Sequence, residues 1–588
     1  MAYFAFDRTT PAQDSEFIGV VVGVDNRRVT VEVPTECLAH VSVGQLAVIP
    51  VDGLDHWLVG LVDRLVCGAA GAFALAGENG ADAPSVVPEG RMHPGNVASV
   101  SLIGTVKDRT TADGRTTHFF SRSLSVSPDM HAPGFAMRGP ALTTFMNLLV
   151  EASATVNSLV LGQYTLDPTA TAYLDGDKFF QRHAALLGST GSGKSWTVAT
   201  ILERAAQLPS ASVVVFDLHG EYSKLSYARQ LRVPGPDELQ TADPNLLFLP
   251  HWLMTAEELA ATFVDGSEAT AHDQILVLQR EIEQAKRAFL QQHNKTEVLK
   301  AFTVDSPVPF PLDTVATHLD VLNTKMVQDY RGAKQGEFYG MFGRLLVRMR
   351  TRRSDRRYGF MFQPPDQLQT YEAFAMLARQ LLDFKASRSR VRVIDFSEVP
   401  ADVLPIMLGI VARLIYYLQF WMPKELRHPV ALLCEEAHLY LPSQCTNANE
   451  ERALACFQKI AKEGRKYGVS LVVVSQRPSD VDTTILSQCN NVLAMRLANT
   501  QDQTVIRRMM PDCLGALLEM LPILDTGEVL AVGDAVLLPS RVRVRTPSEK
   551  PISATIDFWT EWNRTDRSPD WQLAAENMRC QRRLSANS

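Results

Sequence analysis

The chain has no excess of positive charge, no paired-cysteine pattern and no secretory signal. Its 588 residues carry a formal net charge of −7, so a nucleic-acid contact would need a local basic patch and not a global field. The eight cysteines are scattered without a C-x-x-C pair. This spacing argues against a zinc site or a disulfide framework and favours reduced thiols in the cytoplasm.

The sequence also lacks a long apolar segment that is free of charged residues and proline. The one apolar segment of sufficient length, residues 404–422, has Arg413 at its middle and Pro405 near its start. A central arginine costs about 2.5–3.5 kcal/mol on membrane-insertion scales. Because predicted core strands flank the segment on both sides, we expect a buried helix and no membrane association.

The length and composition indicate several globular domains. Hydrophobic residues make up 46% of the chain and charged residues 21%, which is typical of globular proteins, and 588 residues are too many for one core. The predicted segments are an N-terminal barrel domain with its connector (1–140), a first core part (141–254), an inserted helical subdomain (255–390), a second core part (391–545) and an extended C-terminal arm (546–588).

Short apolar runs alternate with turn residues over residues 17–106, which predicts a small antiparallel barrel. Residues 66–98 are rich in Gly, Ala and Pro and predict a long loop within it. Nothing in this domain indicates chemistry, so we interpret it as a docking or assembly module.

The most informative stretch is residues 182–199, RHAALLGSTGSGKSWTVA. A buried strand, a glycine-rich loop and a helix follow one another there, which is the context of a phosphate-binding loop. Glycines let backbone N–H groups face a polyphosphate, and a helix N-terminus favours anions. Lys194 would reach the β- and γ-phosphates of ATP, and Ser195 would ligate Mg²⁺. An ordinary Gly/Ser turn is the alternative. The predicted nucleotide-binding residues are Gly188, Ser189, Thr190, Gly191, Ser192, Gly193, Lys194, Ser195 and Trp196.

Asp217 ends a second apolar run, residues 213–216. Ligands of open α/β sheets gather at the carboxyl ends of strands, so Asp217, with His219 and Glu221, could hold a water molecule or Mg²⁺. The alternative is that Asp217 caps the turn that follows.

Two adjacent acids, Glu435 and Glu436, end the apolar run 430–434. Near a phosphate loop, the first such carboxylate holds Mg²⁺ through water and the second polarises the attacking water. Asp is usual in the first position, and Glu435 keeps the charge while lengthening the reach. We predict Glu436 as the catalytic residue, with His438 supporting it. A strand end with solvated acids is the alternative.

Gln476 follows the predicted strand 469–475, between the acid-bearing strand and the phosphate loop. It could sense the γ-phosphate, or it could pair backbone groups at the sheet edge.

A basic cluster in the helical subdomain is more typical of a solvated face or a subunit contact than of a DNA-binding face. The cluster consists of Arg344, Arg348, Arg350, Arg352, Arg353, Arg356 and Arg357.

Five motifs together resemble the HerA family, within the group that includes the FtsK-type DNA pumps. They are 182-RHAALLGSTGSGKS-195, 217-DLHGEY-222, 434-CEEAH-438, 464-GRKYG-468 and 474-VSQRPSDV-481. The resemblance implies a RecA-like P-loop NTPase core. Apolar residues three and four apart over residues 255–390 predict an inserted helical subdomain. The expected fold is therefore an α/β core with an N-terminal β-barrel and an inserted helical subdomain. The resemblance also implies a homo-hexameric ring with DNA in the central pore and ATP with Mg²⁺ between subunits.

The resemblance further implies roles for individual residues. It places Asp217 in the active site, Arg465 on the ATP of the neighbouring subunit and Arg182 as a second phosphate-directed arginine. An arginine finger is worth ~10³–10⁵ in rate, so hydrolysis would depend on ring assembly. A separate nuclease, or an anti-phage effector in bacterial relatives, is the implied partner, docking on the barrel.

Three hypotheses follow from these observations. The leading one is a cytoplasmic, ATP-hydrolysing hexameric DNA translocase or helicase that works with a nuclease in DNA end processing or anti-phage defence. The second is a hexameric ATP-binding scaffold that assembles and regulates a defence effector, with motor activity secondary. A membrane-anchored DNA pump is disfavoured by the arginine in the only long apolar segment.

Overall fold

The computed structural model describes most of the chain and divides it into two compact units. The described residues are 4, 6, 11 and 14–580, except 26, 52–55, 68–94, 111–115, 125, 154–157, 242, 331, 385–388, 511–514, 553–557 and 567–568. The first unit comprises Met1–Arg204, Gln476–Ser479 and Cys489–Pro547. The second comprises Ala205–Ser475, Asp480–Gln488 and Ser548–Ser588.

The first unit begins with a closed antiparallel barrel. Six strands lie in the order β2-β1-β7-β3-β4-β5, the pairing of β2 with β5 closes the ring, and β6 adds to β5 on the outside. Alternate residues such as Val29, Val31 and Val33 fill the interior, as period-two patterning requires. The predicted barrel is confirmed, whereas most of the predicted loop 66–98 lies outside the described residues. The strands are β1 (Phe17–Asp25), β2 (Arg28–Val33), β3 (Leu46–Val51), β4 (His56–Val66), β5 (Asn96–Thr110), β6 (Thr116–Ser121) and β7 (Pro133–Ala136).

The remainder of the first unit is a mixed sheet with the order β10-β18-β19-β20-β8-β9. β10 and β18 are parallel, and the other neighbours are antiparallel, including the hairpin formed by β19 and β20. The strands are β8 (Leu159–Tyr164), β9 (Thr171–Leu174), β10 (Ala184–Leu187), β18 (Asn491–Ala494), β19 (Glu528–Gly533) and β20 (Ser540–Val544). The helices are α1 (Gly139–Ser153), α2 (Gly176–Gln181), α3 (Lys194–Ala206), α14 (Thr500–Met509) and α15 (Gly515–Glu519).

The second unit contains a parallel sheet with the order β12-β15-β11-β16-β17. Its central strands are mostly apolar because helices cover parallel sheets on both faces. Every residue of β11, β16 and β17 is buried, including Asp217, Ser470 and Ser475. The strands are β11 (Val213–Asp217), β12 (Ala228–Arg232), β15 (Val391–Asp395), β16 (Val430–Cys434) and β17 (Val469–Ser475). The core helices are α11 (Leu404–Trp421), α12 (Ala448–Glu463) and α13 (Thr483–Ser487).

Helix α11 is the segment that could span a membrane by its length and composition alone. In the structure 67% of its apolar window is buried inside the protein. Arg413 forms an ion pair with the buried Glu258 and also donates to the carbonyl of Leu253 (2.7 Å). An internal partner for the central arginine is what a core helix requires, as the sequence predicts.

Between β12 and β15 the chain is mainly helical, as the apolar spacing predicts. One element departs from that pattern, the exposed hairpin formed by β13 (Met326–Asp329) and β14 (Gly332–Gln335). It is too short and too polar to leave a period-two signal. The helices are α4 (Ala256–Phe263), α5 (Ala271–Gln292), α6 (Thr296–Ala301), α7 (Leu312–Thr324), α8 (Gly343–Ser354), α9 (Gly359–Phe362) and α10 (Ala373–Leu382).

The C-terminal arm is not simply extended. It carries two helices, α16 (Phe558–Trp562) and α17 (Trp571–Cys580). The second contains Ala, Leu, Glu and Met, which favour helix. The polar and proline residues around it favoured the prediction of an extended arm instead. The predicted fold class, an α/β core with an N-terminal barrel and an inserted helical subdomain, is otherwise confirmed.

Candidate active site

The glycine-rich loop joins the buried strand β10 to helix α3. Gly191 and Gly193 adopt positive φ angles of 74° and 106°, a region that other residues rarely occupy. A Cβ atom on Gly188 would lie 2.7 Å from the Cβ of Met495 and 2.7 Å from Ser192 Oγ. These three glycines are therefore required for the path of the loop itself.

Backbone groups from the neighbouring strands hold the loop in place. Ser189 donates its N–H (2.9 Å) and its hydroxyl (2.8 Å) to the carbonyl of Arg496. On the other side the N–H of Gly527 donates to the Ser192 carbonyl (2.9 Å). The loop is thus fixed by residues about 300 positions away in sequence, which sequence reasoning did not identify.

The start of α3 brings the predicted phosphate-binding groups together. Lys194 is 8% exposed, and its Nζ donates to the carbonyl of Ser189 (3.2 Å). Ser195 is half-buried one residue further on, and Trp196 is 37% exposed. A lysine, a hydroxyl and the N-terminus of a 13-residue helix converge here, which suits a polyphosphate with Mg²⁺.

Gln476 contacts the phosphate loop within the first unit. The hydroxyl of Thr190 donates to Gln476 Oε1. The side-chain amide of Gln476 therefore bonds to a side chain of the loop. This contact puts Gln476 where a γ-phosphate sensor would be needed, although the sensing role itself stays a prediction.

In the second unit, Asp217 and Glu435 lie side by side at the carboxyl ends of two parallel strands, because Phe216 pairs with Cys434. Asp217 is 1% exposed, and its carboxylate accepts from the backbone N–H groups of the following turn. The donors are His219 (3.2 Å), Glu221 (3.1 Å) and Tyr222 (2.9 Å). The geometry is thus that of the capping alternative, with both carboxylate oxygens in use.

Burial raises the pKa of Asp217, and the nearby Asp395 raises it further, while the three backbone donors lower it. The net direction is upward. A carboxylate that is costly to ionise and already accepts three hydrogen bonds is a poor direct ligand for Mg²⁺.

The adjacent glutamates have different surroundings. Glu435 is 7% exposed and accepts a hydrogen bond from the hydroxyl of the fully buried Tyr222. Glu436 has a left-handed backbone, with φ +44°, which is strained for a residue other than glycine. Its carboxylate lies 3.4 Å from Nδ1 of His438, which is also 3.4 Å from Ser475 Oγ. His438 therefore contacts Glu436, as the sequence predicted.

The two candidate arginines lie at the opposite edge of their sheets. Arg182 precedes β10, and its guanidinium pairs with Asp534 just after β19. Arg465 precedes β17 and is exposed, and among the described residues none forms an ion pair with it. Each arginine lies at the amino end of its strand, so the length of the strand separates it from the carboxyl end. At 3.3 Å per residue this length is about 13 Å for β10 and about 23 Å for β17.

The basic cluster of the helical subdomain is mostly neutralised by internal acids. The pairs are Arg344 and Arg348 with Glu268, Arg352 with Asp402, Arg353 with Asp313, Arg356 with Asp237, and Arg357 with Asp355. Such pairing favours the solvated helix face over a DNA-binding face.

Within the described part of the chain, no group of three or more His, Cys, Asp or Glu is arranged to hold a metal ion by itself.

Sequence reasoning missed Tyr222 and Asp534 as site residues. Tyr222 is the last residue of the motif 217-DLHGEY-222. No local pattern indicates that its hydroxyl bonds to a carboxylate 213 positions away. Asp534 is 352 positions from Arg182 and likewise leaves no local signal.

Known proteins resemble this chain over most of its core. The family model described as "Helicase HerA, central domain" matches residues 159–415. A "DNA double-strand break repair helicase HerA" of Saccharolobus solfataricus is 28% identical over 399 residues, covering 66% of this chain and 69% of that protein. A protein of the same name from Pyrococcus furiosus is 26% identical over 420 residues, covering 66% of this chain and 69% of that protein.

Solved structures align more remotely. VirB4 of Thermoanaerobacter pseudethanolicus covers 67% of this chain and 98% of its own, with a TM-score of 0.43 and 17% identity. The plasmid coupling protein TrwB in complex with ADP and Mg²⁺ covers 69% of this chain and 95% of its own, with a TM-score of 0.40 and 13% identity.

Proposed function

The chain belongs to the HerA helicase family, and from this premise we propose that it is an ATP-driven DNA translocase that works as a homo-hexameric ring with a separate nuclease or defence effector. As a member of that family it is an ATP-dependent enzyme. The observation that supports the proposal most directly is the set of hydrolysis residues, which follow the strands of the α/β core. They are the loop from Gly188 to Ser195 and the acids Glu435 and Glu436.

Each group has a defined task in the proposed hydrolysis. Lys194 and the N-terminus of α3 bind the phosphates. Ser195 and Glu435 are the residues that would hold Mg²⁺, which would supply positive charge to offset the charge that develops on the phosphates. Glu436 orients the attacking water and accepts its proton, and His438 fixes the Glu436 carboxylate. Gln476, bonded to Thr190 of the loop, would report the presence of the γ-phosphate.

The placement of the arginines supports catalysis between subunits. Arg465 lies at the amino end of β17, whereas Asp217 and Glu435 lie at the carboxyl ends of β11 and β16 in the same parallel sheet. A side chain cannot cross the length of that sheet. Arg465 is therefore proposed to act on the ATP of a neighbouring subunit, and Arg182 likewise.

The remaining elements of the proposal concern partners and location. The closed barrel has no hydrolysis residue and is the proposed docking site for the nuclease or effector. Because the basic cluster is internally paired, each subunit would contact DNA through only a few residues. The ring would repeat these contacts once in every subunit. The described cysteines are free thiols, in keeping with a cytoplasmic location.

A Glu436→Gln variant tests the proposed function. The wild-type chain should hydrolyse ATP faster when DNA is added, and its DNA affinity should fall steeply with salt. Removing the proton acceptor should lower kcat by about 10²–10⁴-fold, while binding of a fluorescent ATP analogue is retained. Glu463→Gln, at the end of α12, is the matched control and should hydrolyse normally.

Absence of DNA-stimulated hydrolysis in the wild-type ring, alone and with its partner, would contradict the motor. Survival of effector activity in Glu436→Gln would instead support the scaffold hypothesis, because a scaffold needs bound nucleotide but not turnover.

A further inference from the structure

A buried tyrosine connects the turn after β11 to the first acid of the active site. Tyr222 is 1% exposed, and its hydroxyl donates to Oε1 of Glu435. We propose that Tyr222 is a positioning residue that holds Glu435 in its working orientation, and that Asp217 serves hydrolysis by fixing the turn that carries Tyr222. The inference rests on the proposed function, since it concerns the same acidic pair.

The contacts of Asp217 indicate a supporting role. Its Oδ1 accepts from His219 N–H and Glu221 N–H, and its Oδ2 accepts from Tyr222 N–H. The last bond attaches the backbone of Tyr222 directly to the end of β11. Asp217 thus acts on the acid Glu435 through Tyr222 and does not need to touch nucleotide.

The identity of the first acid explains why a holder is needed. Glu435 stands where Asp is usual, so its carboxylate has one more methylene and one more rotatable bond. Without a partner the longer side chain would populate several rotamers. The hydroxyl of Tyr222 donates to this carboxylate and so restricts its orientation.

Two further contacts immobilise the turn on its outer side. Gln230 donates to the carbonyl of Tyr222 (3.0 Å). The N–H of Ile552, in the segment leading to the C-terminal arm, donates to the carbonyl of Glu221 (2.7 Å). The turn is consequently tied to β12 and to the C-terminal segment as well as to Asp217, which suits an element whose task is precise placement.

The test uses full-length Tyr222→Phe, Glu435→Asp and the double variant. Loss of a hydrogen bond to a charged group is worth about tenfold to a hundredfold, so Tyr222→Phe should raise the Mg²⁺ concentration for half-maximal ATPase by that factor. ATP-analogue affinity measured in EDTA should not change. Glu435→Asp withdraws the carboxylate from the hydroxyl, so the double variant should be no worse than the poorer single variant.

Tyr440→Phe is the matched control, because Tyr440 is equally buried in the same unit but is not bonded to Glu435. It should keep the wild-type Mg²⁺ requirement. A Tyr222→Phe protein that melts earlier but needs no additional Mg²⁺, or single effects that multiply in the double variant, would overturn the proposal. If Tyr222→Phe does not fold, Asp217→Asn should show the same Mg²⁺ phenotype, and a normal requirement there would also refute it.

A binding measurement separates this inference from the proposed function. The Mg²⁺-dependent gain in affinity for the fluorescent ATP analogue should shrink in Tyr222→Phe even if the wild-type chain shows no DNA-stimulated turnover. An unchanged gain in a protein that does hydrolyse ATP with DNA would reject only the role of Tyr222.

Discussion

Two neighbouring glutamates illustrate how surroundings divide the work between identical side chains. Glu435 is buried and bonded to Tyr222, whereas Glu436 has a left-handed backbone and contacts His438. A fixed carboxylate suits a metal-holding role, and a carboxylate beside a histidine suits proton transfer. The proposed division of roles depends on the hydroxyl of Tyr222, which is distant from Glu435 in sequence, and on the imidazole of His438, two residues after Glu436.

A buried histidine gives the second unit a specific acid sensitivity. His251 lies between the carbonyls of Phe310 (3.0 Å from Nε2) and Met361 (3.4 Å from Nδ1). Burial lowers its pKa from 6.5 to about 4, the two carbonyls oppose that shift, and the charges of Lys286 and Arg353 add to it. The folded protein therefore keeps this ring neutral where the unfolded chain would protonate it.

We expect the contribution of His251 to the free energy of unfolding to be fully present above pH 6.5 and to fall as the pH drops toward 4. The unfolded state binds the proton first, so acid favours unfolding, by about 3 kcal/mol at most. Thermal unfolding at successive pH values would show a flatter profile in His251→Gln. Equal slopes in the wild-type and His251→Gln proteins would contradict the assignment.

At the scale of elements, the phosphate loop was the part most readily predicted. Its signal is local, because a buried strand, closely spaced glycines and a helix start occur within residues 184–202. The role of the turn after β11 could not be predicted in the same way. Whether Asp217 caps it or serves the nucleotide depends on where three backbone N–H groups point, which a sequence motif does not specify.

Two glycines of the phosphate loop should respond differently to substitution. In Gly188→Ala the new methyl group would displace Met495 and Ser192, whereas in Gly191→Ala it would meet no atom within 4 Å and only strain the backbone. Overpacking costs about 1–3 kcal/mol and left-handed strain about 1–2 kcal/mol. We expect ATP-analogue affinity to fall about a hundredfold in the first variant and about thirtyfold at most in the second. A reversed ranking in a binding titration would show that the packing of Gly188 is unimportant.

On the scale of the whole molecule, long-range pairing is what sequence reasoning could not supply. The ion pair of Arg182 with Asp534 and the internal partners of the basic cluster join residues tens to hundreds of positions apart. The apolar runs predicted the core strands because a buried strand is a local pattern of consecutive residues. They did not predict the hairpin β13–β14, which has neither a motif nor a buried face.

Mixing two inactive variants would test whether the site is shared between subunits. Lys194→Ala removes the phosphate contact, and Arg465→Ala removes the proposed arginine finger. In rings mixed at equal amounts, about a quarter of the interfaces would join an intact Lys194 to an intact Arg465. We expect each variant alone to be inactive and the mixture to recover a corresponding fraction of ATPase activity.

Lys194→Ala mixed with Glu436→Gln is the matched control. Both changes remove groups that act on the ATP of their own subunit, so that mixture should stay inactive. Equal recovery in both mixtures, or none in either, would contradict a site shared through Arg465.

Arg465 and the acids lie at opposite ends of the strands of one parallel sheet, which would give the proposed ring a direction. In a ring with cyclic symmetry, each subunit would accept an arginine at one end of this sheet and offer its own at the other, so neighbouring subunits would meet head to tail. Every subunit of such a ring would face the same way, and its two rims would present different surfaces.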